Sequence, residues 1–102
     1  MSHLIDETLE IARSRFSAFG FDEAQMERLL ASGERDLRQE LNRLQELLSE
    51  PSISAEKIAF SLHAVKGLVA NLGNDALASR IQTLEEKTKR SSFVEELRSL
   101  IG

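Results

Sequence analysis

Three residues in one predicted helical turn combine a nucleophile, a cation and a missing side chain: His63, Lys66 and Gly67. An imidazole can bind metal, act as a base or attack as a nucleophile, and its neighbours decide between these roles. Metal binding needs a second ligand three or four residues away, and none is present. A serine hydrolase needs an orienting group in a walled pocket, which a chain of 102 residues does not evidently offer. The remaining role is nucleophilic attack on a phosphoryl group through one ring nitrogen. This role requires a neutral ring whose other nitrogen is held by a hydrogen-bond acceptor.

Gly67 destabilises the predicted helix, because glycine inside a helix costs about 1 kcal/mol relative to alanine. Helical side chains lean toward the N-terminus, so the residue at i+4 covers the surface over residue i. Gly67 therefore leaves His63 uncovered, and we predict that it admits a large partner. Lys66, at i+3, adds a positive charge beside the same spot. Close packing of another helix on Gly67 is the alternative explanation.

The helix that carries these residues is predicted over 54–72, and its apolar positions form one inward band. At about 100° per residue, His63 lies about 140° from the centre of that band and Gly67 about 180°. The outward half also carries a collar of small or apolar residues, where charged residues are the usual choice: Ala59, Phe60, Ala64 and Ala70. Such a collar around a polar centre predicts a docking surface for a partner protein. Burial of Phe60 under the N-terminal helix is the alternative.

Composition and periodicity predict a single all-α domain over residues 1–102. Hydrophobic residues make up 41% and charged residues 29% of the chain, with one proline and five glycines, which is typical of a folded helical protein. Every strong apolar series has a spacing of three or four, as in helices, and never two. We therefore expect an up-and-down four-helix bundle, with short additional helices at the N-terminal side and at the C-terminus.

The first half of the chain is predicted to form three helical stretches. The first covers 3–18 and the second runs from an N-cap at Asp22 to Ala31. Ser32 and Gly33 then produce an interruption or a kink, and a further helix covers 34–49.

The second half is predicted to contain an antiparallel helix pair. Ser54 begins the helix with His63, and Gly73 ends it. Asn74 or Asp75 caps the next helix, which extends to Arg90 after a connection of only one or two residues, and Ser91 or Ser92 caps a last helix.

Charge, cysteine content and hydropathy exclude several function classes. The net charge is −4, from 13 basic and 17 acidic residues without a basic cluster, so nucleic acid is not an expected partner. The absence of cysteine excludes disulfides, thiolate zinc sites and thiol catalysis. No stretch approaches the roughly 20 apolar residues of a membrane span, and the acidic N-terminus is unlike a secretory signal. We expect a cytoplasmic protein that does not bind membranes, with His3 as a solvated residue.

The residues His63 to Gly67, followed by Leu72-Gly73 and then by Leu84-Glu85, resemble the motif of histidine-containing phosphotransfer (HPt) domains of multistep bacterial phosphorelays. The resemblance implies a four-helix bundle that presents a phosphorylatable histidine to a receiver domain, belonging to a response regulator or a hybrid sensor histidine kinase. It makes His63 the phospho-acceptor, Lys66 the residue that stabilises the phosphoryl group and Gly67 the residue that clears access. The sequence departs from the family at Leu68 and Val69, where small residues are common.

Glu85 matches the position from which some family members orient the histidine ring with a glutamine or a glutamate. A solvated glutamate is the alternative interpretation of this residue. Phosphoryl transfer between His63 and a receiver aspartate depends chiefly on alignment and charge neutralisation. The chain would need no cofactor, because the receiver's acidic site would hold the Mg²⁺. No Gly-rich phosphate loop with a following Lys-Ser/Thr is present in the sequence, so we expect a monomeric phosphocarrier and not an enzyme that uses ATP.

Two other interpretations stay open. In one, the chain is a helical adaptor bundle whose collar binds a partner helix while His63 is chemically silent. In the other, it is the dimerisation and phosphoacceptor hairpin of a histidine kinase, in which an acid usually follows the histidine directly, whereas Ala64 follows it here. The Met1 start and the capped final helix favour a free-standing protein over a piece of a larger kinase.

Overall fold

The computed structural model describes residues 2–88 and 93–101, and these residues form five helices and no strand. The predicted all-α class is therefore confirmed for this part of the chain. The helices are α1 (Ser2–Ala18), α2 (Glu23–Ser49), α3 (Ala55–Asn71), α4 (Asp75–Lys87) and α5 (Phe93–Ile101). None of the described helices is both long enough and apolar enough to cross a membrane.

One hydrophobic core is shared by all five helices. Its most deeply buried side chains recur at helical spacing, as the sequence predicted. They are Ile5 and Ala12 of α1, Leu37, Leu41 and Leu44 of α2, Ile58, Leu62, Val65 and Val69 of α3, Ile81 of α4 and Leu97 of α5. The core draws on every element because each amphipathic helix must cover its apolar stripe with another helix.

The helix starts follow the capping chemistry that the sequence predicted. Asp22 and Gln25 form a capping box at the start of α2, in which each side chain bonds the backbone N–H of the other residue. The Ser54 side chain accepts a hydrogen bond from the Lys57 N–H and caps α3. The predicted start of α3 is thus confirmed. The prediction that the next helix extends to Arg90 is wrong, because α4 ends at Lys87 with Thr88 as its C-cap, whose backbone N–H donates to the Glu85 carbonyl. The predicted caps at Ser91 and Ser92 lie outside the described residues.

The prediction of an interruption at Ser32 and Gly33 is wrong, because α2 runs unbroken from Glu23 to Ser49. A Cβ atom built on Gly33 would lie 2.8 Å from Cδ2 of Leu72, a residue buried at the end of α3. The leucine side chain therefore occupies the space that a side chain at position 33 would need. The glycine permits close contact between the two helices and does not end either of them.

The turn between α3 and α4 is three residues long, slightly longer than predicted, and it sets the two helices side by side. Gly73 has a φ angle of +91°, a conformation that glycine adopts without strain. Asn74 caps α4 by accepting from the Leu77 N–H, and its amide donates to Thr8 Oγ1 at 2.9 Å. The predicted cap at this point is confirmed as Asn74, and the buried bond to Thr8 ties the turn to α1.

Candidate functional site

The two faces of α3 have opposite environments, and His63 lies on the outer one. The inward residues Ile58, Leu62, Val65 and Val69 are almost fully buried, whereas the His63 side chain is 73% exposed. The prediction from the helical wheel that this histidine points outward is confirmed. Its ring is therefore accessible to another macromolecule.

A buried polar contact helps to fix the rotation of α3. Ser61 is nearly inaccessible, and its hydroxyl donates to Glu40 Oε1 of α2 at 3.0 Å. A buried hydroxyl needs such a partner, because leaving it unpaired costs about 1–3 kcal/mol. The bond lies on the α2 side of α3, so it favours the rotation that turns His63 away from the core.

Glu85 of α4 faces the imidazole across the groove between the two helices. Its Oε1 atom lies 3.7 Å from His63 Nδ1, and its side chain is only 18% exposed. The alternative of a solvated glutamate is thereby excluded. A carboxylate at Nδ1 favours the tautomer with a proton on that nitrogen, which leaves the Nε2 lone pair directed away from Glu85.

Lys66 lies in the same groove and is held by two α4 side chains. Its ammonium nitrogen is 3.0 Å from Glu85 Oε1 and 2.6 Å from Gln82 Oε1, and its side chain is 22% exposed. Gln82 in turn donates to Glu86 Oε1 at 3.4 Å. The cation is therefore positioned one helical turn from His63 by contacts with α4, instead of extending freely into solvent.

Glu85 Oε1 is the central atom of this arrangement, because it lies beside both the His63 ring, at 3.7 Å, and the Lys66 ammonium, at 3.0 Å. It is excluded from solvent, and it accepts no hydrogen bond from any residue in the described part of the chain. The Lys66 ammonium, 3.0 Å away, makes an ion contact with this buried oxygen, whose capacity to accept a hydrogen bond is not used by any described residue.

Gly67 borders open space, unlike Gly33. A Cβ atom built on Gly67 would have no heavy atom of the described chain within 4 Å beyond its own helix backbone and chain neighbours. The alternative that this glycine permits close helix packing is therefore excluded. Access for a partner stays a prediction, and the open space over the helix agrees with it.

The predicted collar around His63 is exposed to different degrees. Phe60 is 71% exposed, so its burial under the N-terminal helix is excluded. The three alanines Ala59, Ala64 and Ala70 are half-buried, and Leu68 is partly buried against the core. Phe60 is consequently the one large apolar side chain of the predicted surface that another protein could cover extensively.

The chemistry available to this group is nucleophilic attack at the electrophilic atom of an anionic group. The Nε2 atom supplies the electron pair, Glu85 lies beside the opposite nitrogen and Lys66 provides a nearby positive charge. Within the described residues, no group of three or more His, Cys, Asp or Glu side chains is arranged to hold a metal ion.

Sequence reasoning missed Gln82 and the Ser61–Glu40 bond. Gln82 precedes Glu85 by three residues and therefore shares its helix face, a spacing that could have marked it as part of the site. Nothing in the local sequence indicates the bond between Ser61 and Glu40, because it joins residues 21 positions apart on different helices.

Comparison with known proteins adds no family to this description. No protein-family model, curated protein or solved structure matches the chain. The group formed by His63, Lys66, Gly67 and Glu85 is consequently interpreted from its own geometry and from the motif resemblance.

Proposed function

We propose that this protein is a histidine phosphotransfer protein of a multistep two-component phosphorelay. His63 accepts a phosphoryl group from an aspartate of one receiver domain and passes it to an aspartate of another. The observation that carries this proposal is an exposed imidazole with a buried carboxylate oxygen at one nitrogen and a held lysine one turn away. The up-and-down four-helix arrangement implied by the family resemblance is part of the same proposal.

The transfer step requires only groups that this chain and its partner would contribute. The Nε2 lone pair attacks phosphorus of the aspartyl phosphate, the N–P bond forms, and the P–O bond breaks as the aspartate leaves as a carboxylate. Lys66 balances negative charge on the phosphoryl oxygens, and the receiver's acidic site holds the Mg²⁺. Because positioning and charge neutralisation supply most of the catalysis, a small helical domain is sufficient.

The docking surface in this proposal is the outer face of α3, with His63 at its centre and Ala59, Phe60, Ala64 and Ala70 around it. Phe60 precedes His63 by three residues, so both side chains lie on adjacent turns of one face. Small side chains near the histidine allow close approach of the receiver's active site. We expect a monomeric, cytoplasmic phosphocarrier without kinase activity of its own.

The decisive experiment is phosphoryl transfer from receiver domains of the source organism that have been phosphorylated with acetyl phosphate. We expect acid-labile, base-stable phosphate on the chain, mapped to His63 by mass spectrometry. His63→Gln should lose it completely, while His3→Gln should keep it, and both variants should retain the wild-type circular dichroism spectrum.

Two results would contradict the proposal. If no receiver donates a phosphoryl group to the wild-type chain, the adaptor interpretation with a silent His63 is favoured. If sedimentation shows an obligate dimer that incorporates phosphate from ATP together with a kinase domain, the kinase hairpin is favoured.

A further inference from the structure

The buried oxygen Glu85 Oε1 is able to accept a hydrogen bond but accepts none from residues 2–88 or 93–101, and a role in orienting the ring does not by itself explain this. It lies 3.7 Å from His63 Nδ1 and 3.0 Å from Lys66 Nζ, and within the described residues it accepts no hydrogen bond. A buried polar atom without a hydrogen bond calls for an explanation, since most such atoms are paired. A shift of a few tenths of an ångström would bring the ring nitrogen into hydrogen-bonding distance.

We propose that Glu85 keeps the proton on His63 Nδ1 throughout the phosphorylated state, so that neutral imidazole is the group that leaves when the phosphoryl group moves on. This inference rests on the proposed phosphotransfer function and extends it to the chemistry of the carrier state. Glu85 is a positioning residue in this scheme, because it acts through the ring and does not touch the phosphoryl group.

The charge balance of the step explains why the proton matters. When Nε2 attacks phosphorus and no proton leaves, the ring carries one positive charge. When the N–P bond later breaks, its electron pair returns to Nε2 and the ring leaves as neutral imidazole. A ring that had lost the Nδ1 proton would have to leave as imidazolate, a far poorer leaving group. Retaining the proton therefore makes the N–P bond easy to break in both directions of the relay.

A carboxylate serves this purpose better than an amide. A glutamine oxygen at position 85 could accept the same hydrogen bond, but only the carboxylate adds a negative charge beside the positive ring. Among the described residues, Glu85 of α4 supplies a carboxylate 3.7 Å from the ring nitrogen Nδ1, and Lys66 of α3 contacts the same oxygen.

The position of Lys66 allows an exchange of partners when His63 is phosphorylated. In the resting site the ammonium pairs with Glu85 Oε1 and donates a hydrogen bond to Gln82 Oε1 at 2.6 Å. Phosphoryl oxygens on Nε2 attract the ammonium, and Glu85 Oε1 then pairs with the charged ring. Each positive group keeps one negative partner in both states, so the change requires no uncompensated buried charge.

The test measures the decay of phosphohistidine in the whole chain after labelling with phosphoramidate, which requires no receiver. We expect Glu85→Gln to slow the loss of phosphate from His63 about two- to fivefold, the range typical of a partly exposed ion pair. In a His3→Gln background with one remaining histidine, ¹⁵N NMR should show a smaller fraction of the phosphorylated ring protonated at Nδ1 at neutral pH. Glu10→Gln, a matched loss of one negative charge on α1, should change neither quantity.

A second variant moves the lifetime in the opposite direction. Lys66→Met removes the cation that pairs with the phosphoryl oxygens in the phosphorylated state, so phosphate on His63 should be lost faster. In the chain with both histidines, phosphate on the exposed His3, which forms no ion pair with a described residue, provides an internal reference that none of these variants should alter.

The inference is overturned if Glu85→Gln leaves the lifetime or the Nδ1 protonation unchanged, or if Lys66→Met lengthens the lifetime. Failure of the proposed function gives a different result. In that case no receiver exchanges phosphate with His63, while the chemically labelled ring still reports the influence of Glu85.

Discussion

Gly33 and Gly67 both lie in the interior of a helix, and their surroundings are opposite. The space beside Gly33 is filled by Leu72, so that a Cβ atom there would lie 2.8 Å from a leucine methyl group. The space beside Gly67 is empty, and the nearby imidazole is mostly exposed. The first glycine serves packing between α2 and α3. Gly67 destabilises its helix without permitting any close packing, which is the pattern expected where a partner must approach.

The largest effect should come from placing the same side chain at both glycines. Gly33→Val should lower the free energy of unfolding by about 2–3 kcal/mol, because the branched side chain overpacks a site already occupied by Leu72. Gly67→Val should change it by less than about 0.5 kcal/mol, since the side chain enters open space. Urea denaturation followed by circular dichroism measures both values. Equal losses of unfolding free energy at the two positions would show that the different surroundings of the two glycines do not affect stability.

A longer side chain at position 67 separates the effect of Gly67 on protein stability from its effect on the access of a receiver domain to His63. Gly67→Gln should raise the free energy of unfolding by about 0.5–1 kcal/mol, because glutamine is a far better helix former than glycine. Phosphoryl transfer from a receiver should slow about tenfold or more, because the side chain extends over His63. Labelling by phosphoramidate, a small donor, should change much less. A variant that is stabilised but transfers from receivers at the wild-type rate would remove the reason proposed for Gly67.

A smaller effect should distinguish two exposed aromatic residues, Phe60 on α3 and Phe19 in the turn between α1 and α2. Phe60→Ala should raise the KM for a phosphorylated receiver about threefold to tenfold through loss of interface contact, with little change in stability. Phe19→Ala is the matched control, because Phe19 is similarly exposed but belongs to the turn between α1 and α2. The Arg15 guanidinium lies over the Phe19 ring, and Arg15 also lies beside Gly73. Gly73 is about 20 Å from Phe60 along the axis of α3, so Phe19 is far from the predicted docking surface. A KM that responds equally to both variants would place the docking surface elsewhere.

Much of the fold could be predicted because it depends on local chemistry. The apolar periodicity gave the helices, and the caps at Asp22, Ser54 and Asn74 gave their starts, since each cap involves residues only three apart. The outward direction of His63 followed from the same periodicity. The error at Gly33 has the opposite origin. A glycine in a helical pattern is ambiguous until the residue that fills its space is known, and Leu72 is distant in sequence.

The sequence by itself determined an all-α chain and a helix face that combines His63, Lys66 and Gly67, because helical geometry converts spacing into direction. Only the tertiary structure decided what faces that group. It placed Glu85 Oε1 against both His63 and Lys66, added Gln82 to hold the ammonium, and left the space beside Gly67 empty. These features depend on how α4 packs on α3, and the packing is fixed by the whole core and not by any local stretch of sequence.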